Sequence, residues 1–172
     1  MDRPSAMIVL GIDPGLAITG YGAVKKSGNR LVALEYGAIT TSSNSPFPDR
    51  LDQIYDALSG VFMRCSPEVV AMEELFFAAN VKTALAVGQA RGVAVLAAVK
   101  AGARVVEYKP TQVKQSIVGY GRAEKGQMQK MTRVLLNLKE LPRPDDAADA
   151  LALAICHIHS AGLEGKIKGL SR

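Results

Sequence analysis

The stretch Met-Ile-Val-Leu-Gly-Ile-Asp-Pro-Gly, residues 7–15, is a short apolar run that ends in an acidic residue and a turn. Its aliphatic and β-branched residues predict a buried strand over 7–12, which Pro14 and Gly15 end. Asp13 therefore lies where a strand gives way to a tight turn. A carboxylate there is costly unless something compensates for it, and a bound cation is one such compensation. Taken alone, Asp13 is better explained as the residue that initiates the Pro-Gly turn.

The rest of the chain alternates strand and helix patterns. Residues 20–25 and 30–40 extend the first strand into a three-strand meander, and residues 42–48 have the composition of a loop. Apolar spacing predicts helices at 51–62, 80–101, 111–118, 124–138 and 146–160, and strands at 69–72 and 104–108. This order predicts an α/β fold, in which a mixed five-stranded sheet has helices on both faces.

The class of protein is limited by the length, composition and charge of the chain. A chain of 172 residues is about one domain's worth, and we place that domain at residues 1–161 with a basic, mobile tail at 162–172. No apolar run approaches the ~20 residues of a membrane span, and the start does not resemble a secretory signal. We therefore expect a cytoplasmic protein without a membrane segment. The formal net charge of +5 favours a polyanionic partner such as nucleic acid.

Three further acids stand in settings comparable to that of Asp13. Glu73 follows the buried strand predicted at 69–72 and repeats the same arrangement. Asp146 and Asp149 are three residues apart near the start of the last helix, so they share one face of it. Capping of the helix start explains Asp145 and can explain Asp146, but it does not explain Asp149 among alanine and leucine residues. Carboxylates so arranged repel one another unless divalent cations hold them ionised.

The chemistry of these donors favours a hard cation. Carboxylates without accompanying cysteine or suitably placed histidine select Mg²⁺ or Mn²⁺ over zinc. Two such ions ~4 Å apart can activate a water and stabilise the leaving oxygen in an in-line displacement at phosphorus. Asp13, Glu73, Asp146 and Asp149 are therefore candidate metal ligands of a nuclease site, although the residue pattern alone does not show that they converge.

Several stretches together resemble a single family. They are residues 11–15 (GIDPG) with 19–22 (TGYG), 73–77 (EELFF), 88–92 (GQARG), 113–115 (VKQ) and 146–150 (DAADA). Over about residues 8–159 the chain resembles the RuvC-type Holliday junction resolvases of the ribonuclease-H-like superfamily. The resemblance implies that the strand ending at Asp13 lies beside the strand ending at Glu73, with the helix of Asp146 and Asp149 packed across them. It also selects Glu73 over Glu74, since successive strand residues face opposite ways.

The resemblance further implies an activity and its partners. It implies an Mg²⁺-dependent endonuclease with one or two ions per site, in which Mn²⁺ can substitute and the catalytic residues are the four acids. It implies a homodimer that makes paired symmetric nicks in a four-way DNA junction, for which a two-fold protein is suited. A branch-migration helicase complex is a candidate protein partner. The helix predicted at 80–101 is a candidate for part of the dimer contact, and a plain core helix is an equally good interpretation.

Basic and aromatic residues near the acids are candidates for DNA contact. Lys114 and Lys125 match family positions associated with DNA contact and catalysis. Arg122 lies between them in a Gly-rich segment that could order against DNA. Two aromatic rings follow the acidic strand end, where a ring could stack on an unpaired base. The resemblance favours Phe76 as that ring and leaves Phe77 undecided.

Three other functions are compatible with parts of this pattern. A related ribonuclease-H-like enzyme could act on structured RNA with the same acids. The turn at Asp13 also resembles the phosphate hairpin of actin-like ATPases, but those need a second phosphate loop and a second lobe, for which the chain lacks a convincing motif and the length. A junction-binding module without catalysis would not be expected to keep all four acids.

Overall fold

The N-terminal third of the chain forms three antiparallel strands in the computed structural model, which describes residues 6–75 and 81–170, without the side chains of 81, 82 and 163–170. These strands are β1 (Ile8–Asp13), β2 (Ile18–Ser27) and β3 (Arg30–Thr40). β2 pairs with both β1 and β3. Gly28 adopts the left-handed φ of 61° in the tight turn that joins β2 to β3, a conformation that glycine adopts without a steric cost.

The remaining elements complete a mixed sheet. They follow in the order α1 (Phe47–Cys65), β4 (Val69–Glu73), α2 (Val81–Lys100), β5 (Arg104–Tyr108), α3 (Pro110–Val118), α4 (Lys125–Leu135) and α5 (Asp145–Leu170). The five described strands lie in the order β3-β2-β1-β4-β5, and β4 is parallel to both of its neighbours. The predicted α/β fold with a mixed five-stranded sheet is confirmed.

The two faces of the sheet bury separate cores. α5 crosses one face beside α3 and α4, and its Leu151 and Ile155 are fully buried there. α1 and α2 cover the other face, where Ile54 and Leu58 lie in one cluster with Met72 of β4. The inner strands β1 and β4 are therefore covered on both faces, as the continuous apolar run at 69–72 predicts for β4.

α5 lies directly on the backbone of β1 and β2. A Cβ atom built on Gly11 would lie 1.7 Å from the carbonyl oxygen of Ala150, and one built on Gly20 would lie 2.1 Å from that of Asp146. Because the atoms that would clash belong to the main chain, no side-chain rotation can relieve the overlap. The two glycines therefore set the depth of α5 on the sheet, and with it the height of Asp146 and Asp149.

Two helix boundaries differ from the predictions by four residues or more. α1 begins at Phe47, inside the predicted loop, since Pro48 occupies the first turn of a helix, where its missing N–H is not needed. α5 continues to Leu170 instead of ending at Ser160, so the predicted boundary between domain and tail at 161–162 falls inside a helix. A helical glycine such as Gly162 costs only about 1 kcal/mol, which the other residues of a long helix offset. The mobility of the tail stays a prediction.

α2 is the one helix in the described parts of the chain that is long and apolar enough to cross a membrane. This holds by length and composition alone for Thr83–Lys100, whose mean hydropathy is 1.2 and of which 28% is buried. Its residues Ala90, Ala94 and Ala98 are buried against the sheet, as in a helix that covers a domain core. The absence of a membrane segment stays a prediction.

Candidate active site

The strand order brings the first two acids to one edge of the sheet. β1 and β4 are adjacent and parallel, and their last registered pair is Gly11 with Ala71. Asp13 and Glu73 each stand two residues further along, at the carboxyl ends of their strands. Ligand sites of parallel sheets form at such ends, because the chain there turns away and leaves room above the strands.

α5 brings the other two acids to the same place. Gly20 pairs with Asp13 across β1 and β2, and the main chain of Asp146 lies directly over Gly20. Asp146 and Asp149 occupy the first turns of α5, three residues apart. The first turn of this helix is thereby held against the strand end that carries Asp13.

Asp13 is affected by the charges of the other three acids. The pKa of the Asp13 carboxyl is raised from 3.8 to about 6, first by burial and then by the negative charges of Asp149, Asp146 and Glu73, in that order. Lys125 acts in the opposite direction on the same pKa. The geometry agrees, because Asp13, Glu73 and Asp149 line one pocket and the main chain of Asp146 lies over Gly20, beside Asp13.

Two lysines offset part of this repulsion. Burial raises the pKa of Glu73, and the ammonium of Lys114 lowers it. Burial likewise raises the pKa of Asp149, and Lys125 lowers it. The Lys125 Nζ lies 3.4 Å from Oδ2 of Asp149 and 3.4 Å from Oδ2 of Asp145, so one cation spans two carboxylates.

Three of the four acids and both lysines share a pocket of about 300 Å³, whereas Asp146 is not among the residues that line it. Its polar lining consists of Asp13, Glu73, Asp149, Lys114 and Lys125, and residues of α3, α4 and α5 supply apolar walls. A larger groove of about 1420 Å³ lies between the turn joining β2 and β3 and the helices α3 to α5, but no carboxylate is among the described residues that line it. Because the chemistry requires acids, we assign the active site to the smaller pocket.

The other predicted residues have different placements. Arg122 is exposed in the segment between α3 and α4, and it does not line the pocket. Asp145 is the first residue of α5 and turns its carboxylate to Lys125 and to Arg143, 3.8 Å away. Phe76 and Phe77 lie outside the described residues. The DNA-binding roles assigned to Arg122 and Phe76 stay predictions.

Of the two adjacent glutamates, Glu73 lines the pocket and Glu74 does not. The carboxylate of Glu73 acts on the pKa of Asp13 and lines the pocket. The main-chain N–H of Glu74 donates to the carbonyl of Tyr108, which extends the pairing of β4 with β5 by one residue. The structure therefore brings Glu73 into the acidic cluster, as the resemblance implies.

Sequence reasoning missed the contribution of Gly20 and the reach of Lys125 to two acids. The signal for Gly20 was present in the stretch Thr-Gly-Tyr-Gly at 19–22, where glycines alternate along a strand. Glycine inside a strand often marks a close approach of another backbone. Lys125 carried no comparable signal, because its partners are 20 or more residues away in the chain.

The donors suit a hard divalent cation by their chemistry. Within residues 6–75 and 81–170, no three Asp, Glu, His or Cys side chains are arranged closely enough to form a finished coordination shell. The carboxyls of Asp13, Glu73 and Asp149 nevertheless line one pocket, and the pKa of each is raised first by burial and then by neighbouring carboxylates. Oxygen-only donors with excess negative charge fit Mg²⁺ or Mn²⁺.

An acidic pocket at the carboxyl ends of a mixed sheet, closed by a helix that carries two more acids, defines a nuclease of the ribonuclease-H-like class. The model of the family "Crossover junction endodeoxyribonuclease RuvC" matches residues 9–157. The chain belongs to the RuvC family of crossover junction endodeoxyribonucleases, as the resemblance indicated.

Individual relatives agree with the family match. The crossover junction endodeoxyribonuclease RuvC of Alkaliphilus oremlandii is 56% identical over 162 residues, which cover 94% of this chain and 99% of that protein. The RuvC of Thermus thermophilus, solved in complex with a Holliday junction substrate, superposes with a TM-score of 0.87 at 40% identity, over 92% of this chain and 96% of that one. The yeast mitochondrial resolvase Ydc2 shares the fold, with a TM-score of 0.64 at 14% identity over 88% of this chain and 77% of that one.

Proposed function

We propose that this chain resolves four-way DNA junctions as a homodimer that makes two symmetric nicks by metal-assisted hydrolysis of phosphodiester bonds. The observation that carries the proposal is that Asp13, Glu73 and Asp149 line one pocket, with Asp146 three residues before Asp149 on the same helix and its main chain over Gly20. Such a cluster is unfavourable in the absence of a cation, and a phosphodiester brings further negative charge to it. The site is therefore suited to chemistry in which divalent cations and an anionic substrate bind together.

The four acids would hold one or two Mg²⁺ ions, for which Mn²⁺ can substitute. The bound metal would activate a water and stabilise the leaving oxygen at phosphorus. The residues of the chain position and neutralise the reacting groups. Lys114 and Lys125 line the same pocket as Asp13, so their ammonium groups are placed to meet the phosphate oxygens of a strand that enters it.

DNA contact extends beyond the pocket in this proposal. Arg122 is exposed between α3 and α4, next to the helix that carries Lys125, so it is placed to contact a phosphate outside the site. Phe76 follows Glu73 by three residues, and we retain it as the ring that stacks on a base at an opened junction. These contacts position a branched backbone rather than read a sequence.

α2 is the proposed dimer contact. Its Leu85, Leu96 and Val99 are at least half exposed, and Gly92 between them is exposed as well. Steps of seven, four and three residues separate Leu85, Gly92, Leu96 and Val99. Residues spaced in this way lie along one face of a helix, as in a coiled coil. Burial of this stripe against a second copy would remove apolar surface from water and relate two active sites by a two-fold axis.

Two further parts of the proposal rest on the family resemblance. We expect the protein to act in the cytoplasm and to associate with a branch-migration helicase complex that moves the junction before it is cut. Co-purification of the complex with tagged protein from cell extract would test the second expectation.

A cleavage assay on a synthetic four-way junction tests the function. We expect paired nicks at symmetric positions in the presence of Mg²⁺ or Mn²⁺ and none with a chelator. Asp146→Asn should abolish cutting and leave junction binding intact, because it removes charge from the site without removing a phosphate contact. Folded protein that makes no paired nicks would overturn the proposal, and preferential cleavage of an RNA duplex would assign the same site to RNA instead.

A further inference from the structure

A buried guanidinium lies beneath the strand end that carries Glu73. Arg91 of α2 has a side chain only 9% exposed, and it is the one lysine or arginine among the buried residues that the structure describes. Arginine is rarely buried unless its charge and its donors are partnered. Its neighbours Ala90 and Ala94 in the helix are fully buried, so the rest of this helix face is apolar. A charge in such a place needs a specific explanation.

The partners of Arg91 connect three elements of the fold. Its Nη1 donates a hydrogen bond of 2.8 Å to the main-chain oxygen of Glu73, the last residue of β4. Its Nη2 forms an ion pair with the carboxylate of Glu107 on β5. Met72 and Glu73 are the register partners of Glu107 and Tyr108, so the guanidinium spans the two strands just where both end.

We propose that Arg91 is a positioning residue for Glu73. By fixing the carbonyl of that residue, it fixes the peptide plane at the strand end and thus the direction in which the Glu73 side chain leaves the backbone. This inference rests on the proposed function, since it matters only if Glu73 holds a cation. The contact is made to the main chain, so Arg91 acts on the site without touching the pocket.

The geometry requires arginine in particular. The planar fork of a guanidinium can donate to the carbonyl and to Glu107 at once, whereas a lysine ammonium is a compact charge on a flexible stem. Charge-assisted hydrogen bonds of this kind are short and directional. Arg91→Lys should therefore retain the packing and part of the charge balance while loosening the strand end, and Arg91→Met should remove both contacts.

The first measurement is cation binding by protein without DNA, followed as the rise of Tm with Mn²⁺ concentration. Residues that hold a metal ligand in place typically contribute 10- to 100-fold to metal affinity. We expect Arg91→Met to raise the half-saturating Mn²⁺ concentration about 10-fold and Arg91→Lys to lie between it and the wild type. Arg104→Met, at the exposed beginning of β5, is the matched control and should leave the value unchanged.

A double variant separates positioning of Glu73 from general loosening of the fold. In a Glu73→Gln background the side chain that Arg91 positions no longer supplies its charge, so adding Arg91→Met should not weaken Mn²⁺ binding further. A second loss of the same size would overturn the inference, as would an Arg91→Met protein with wild-type Mn²⁺ dependence. If Arg91→Met does not fold, Arg91→Lys and Glu107→Gln give the same two comparisons.

Cleavage measured on the same proteins distinguishes this inference from the proposed function. With saturating junction, Arg91→Met should reduce the single-turnover rate, and raising the Mn²⁺ concentration should restore much of it while junction affinity stays constant. Wild-type protein that neither cleaves nor binds Mn²⁺ would refute the proposed function itself. If wild-type protein cleaves the junction and binds Mn²⁺, and the Arg91→Met variant matches it in both measurements, only the role of Arg91 is refuted.

Discussion

Replacement of Gly20 by alanine tests whether the contact of α5 with the sheet backbone sets the geometry of the active site. The added methyl would lie 2.1 Å from the carbonyl oxygen of Asp146 and 2.8 Å from its Cβ, on the residue that pairs with Asp13. Ordinary contacts begin near 3.4 Å, so the methyl and the helix must separate by about 1.3 Å, the difference between the two distances. Since the clash is with the main chain, the first turn of α5 has to move away from β2.

This displacement should affect both stability and catalysis. Forcing a methyl group into a closely packed contact costs ~1–3 kcal/mol, which for a chain of this size lowers Tm by roughly 2–12 °C. A misplacement of about 1 Å among reacting groups can reduce a rate by ~100-fold. We therefore expect Gly20→Ala to lower the single-turnover cleavage rate about 100-fold at saturating junction, with little change in junction affinity.

Single-turnover cleavage, junction binding and thermal unfolding, measured on one preparation, make the test complete. Gly126→Ala is the matched control, because a Cβ at that exposed position in α4 meets nothing within 4 Å. It should keep the wild-type rate and should not lower Tm, because alanine is favoured over glycine in a helix by about 1 kcal/mol. A Gly20→Ala protein that unfolds at the wild-type temperature and cleaves at the wild-type rate would show that the helix does not depend on this contact.

Three further predictions concern charge and packing. The pKa of Asp13 is about 6 in the folded protein and 3.8 as its ordinary value, so its ionisation lowers the stability of the fold increasingly between these two pH values and fully above about pH 6. Asp13→Asn should therefore stabilise metal-free protein by about 1–3 kcal/mol at pH 8. Chemical denaturation near pH 4 should find this gain lost. Lys125→Met removes a charge that lowers the pKa of Asp13 and Asp149. The acid limb of the pH–rate profile should therefore move to higher pH, and the rate at pH 7 should fall roughly 10-fold or more. An unmoved profile would contradict this role of Lys125. Ile155→Ala should cost ~2–5 kcal/mol in urea unfolding, because Ile155 is fully buried, whereas Met63→Ala at a position 78% exposed should change stability by less than about 0.5 kcal/mol.

Local pattern was sufficient for most of the elements of this fold. The bounds of β3 and β5 agree with the predicted strands, since both segments alternate or end at clear turn residues. The error at Pro48 arose because proline was interpreted as a loop residue, although it is also favoured in the first helical turn. The end of α5 was missed because scattered glycines hide a helical pattern without preventing the helix.

The active site was less accessible to sequence reasoning. Asp149 could be singled out from its apolar neighbours, but Asp13 alone was indistinguishable from a turn residue. Their convergence depends on which strands are neighbours and on how closely α5 approaches the sheet, and both are properties of packing between distant segments. Family resemblance supplied the adjacency of the strands that end at Asp13 and Glu73, whereas the backbone contact at Gly20 and the two partners of Lys125 required coordinates.

α2 carries Arg91 on its buried side and Leu96 and Val99 on its exposed side. In the proposed homodimer, a single rigid helix would then connect the symmetry axis to the strand end of Glu73, with no loop between them. The distance between the two active sites of the dimer would then be constant, because motion of surface loops would not change it. The two symmetric nicks of the proposed reaction require two active sites at a constant distance from each other, which a continuous helix would supply.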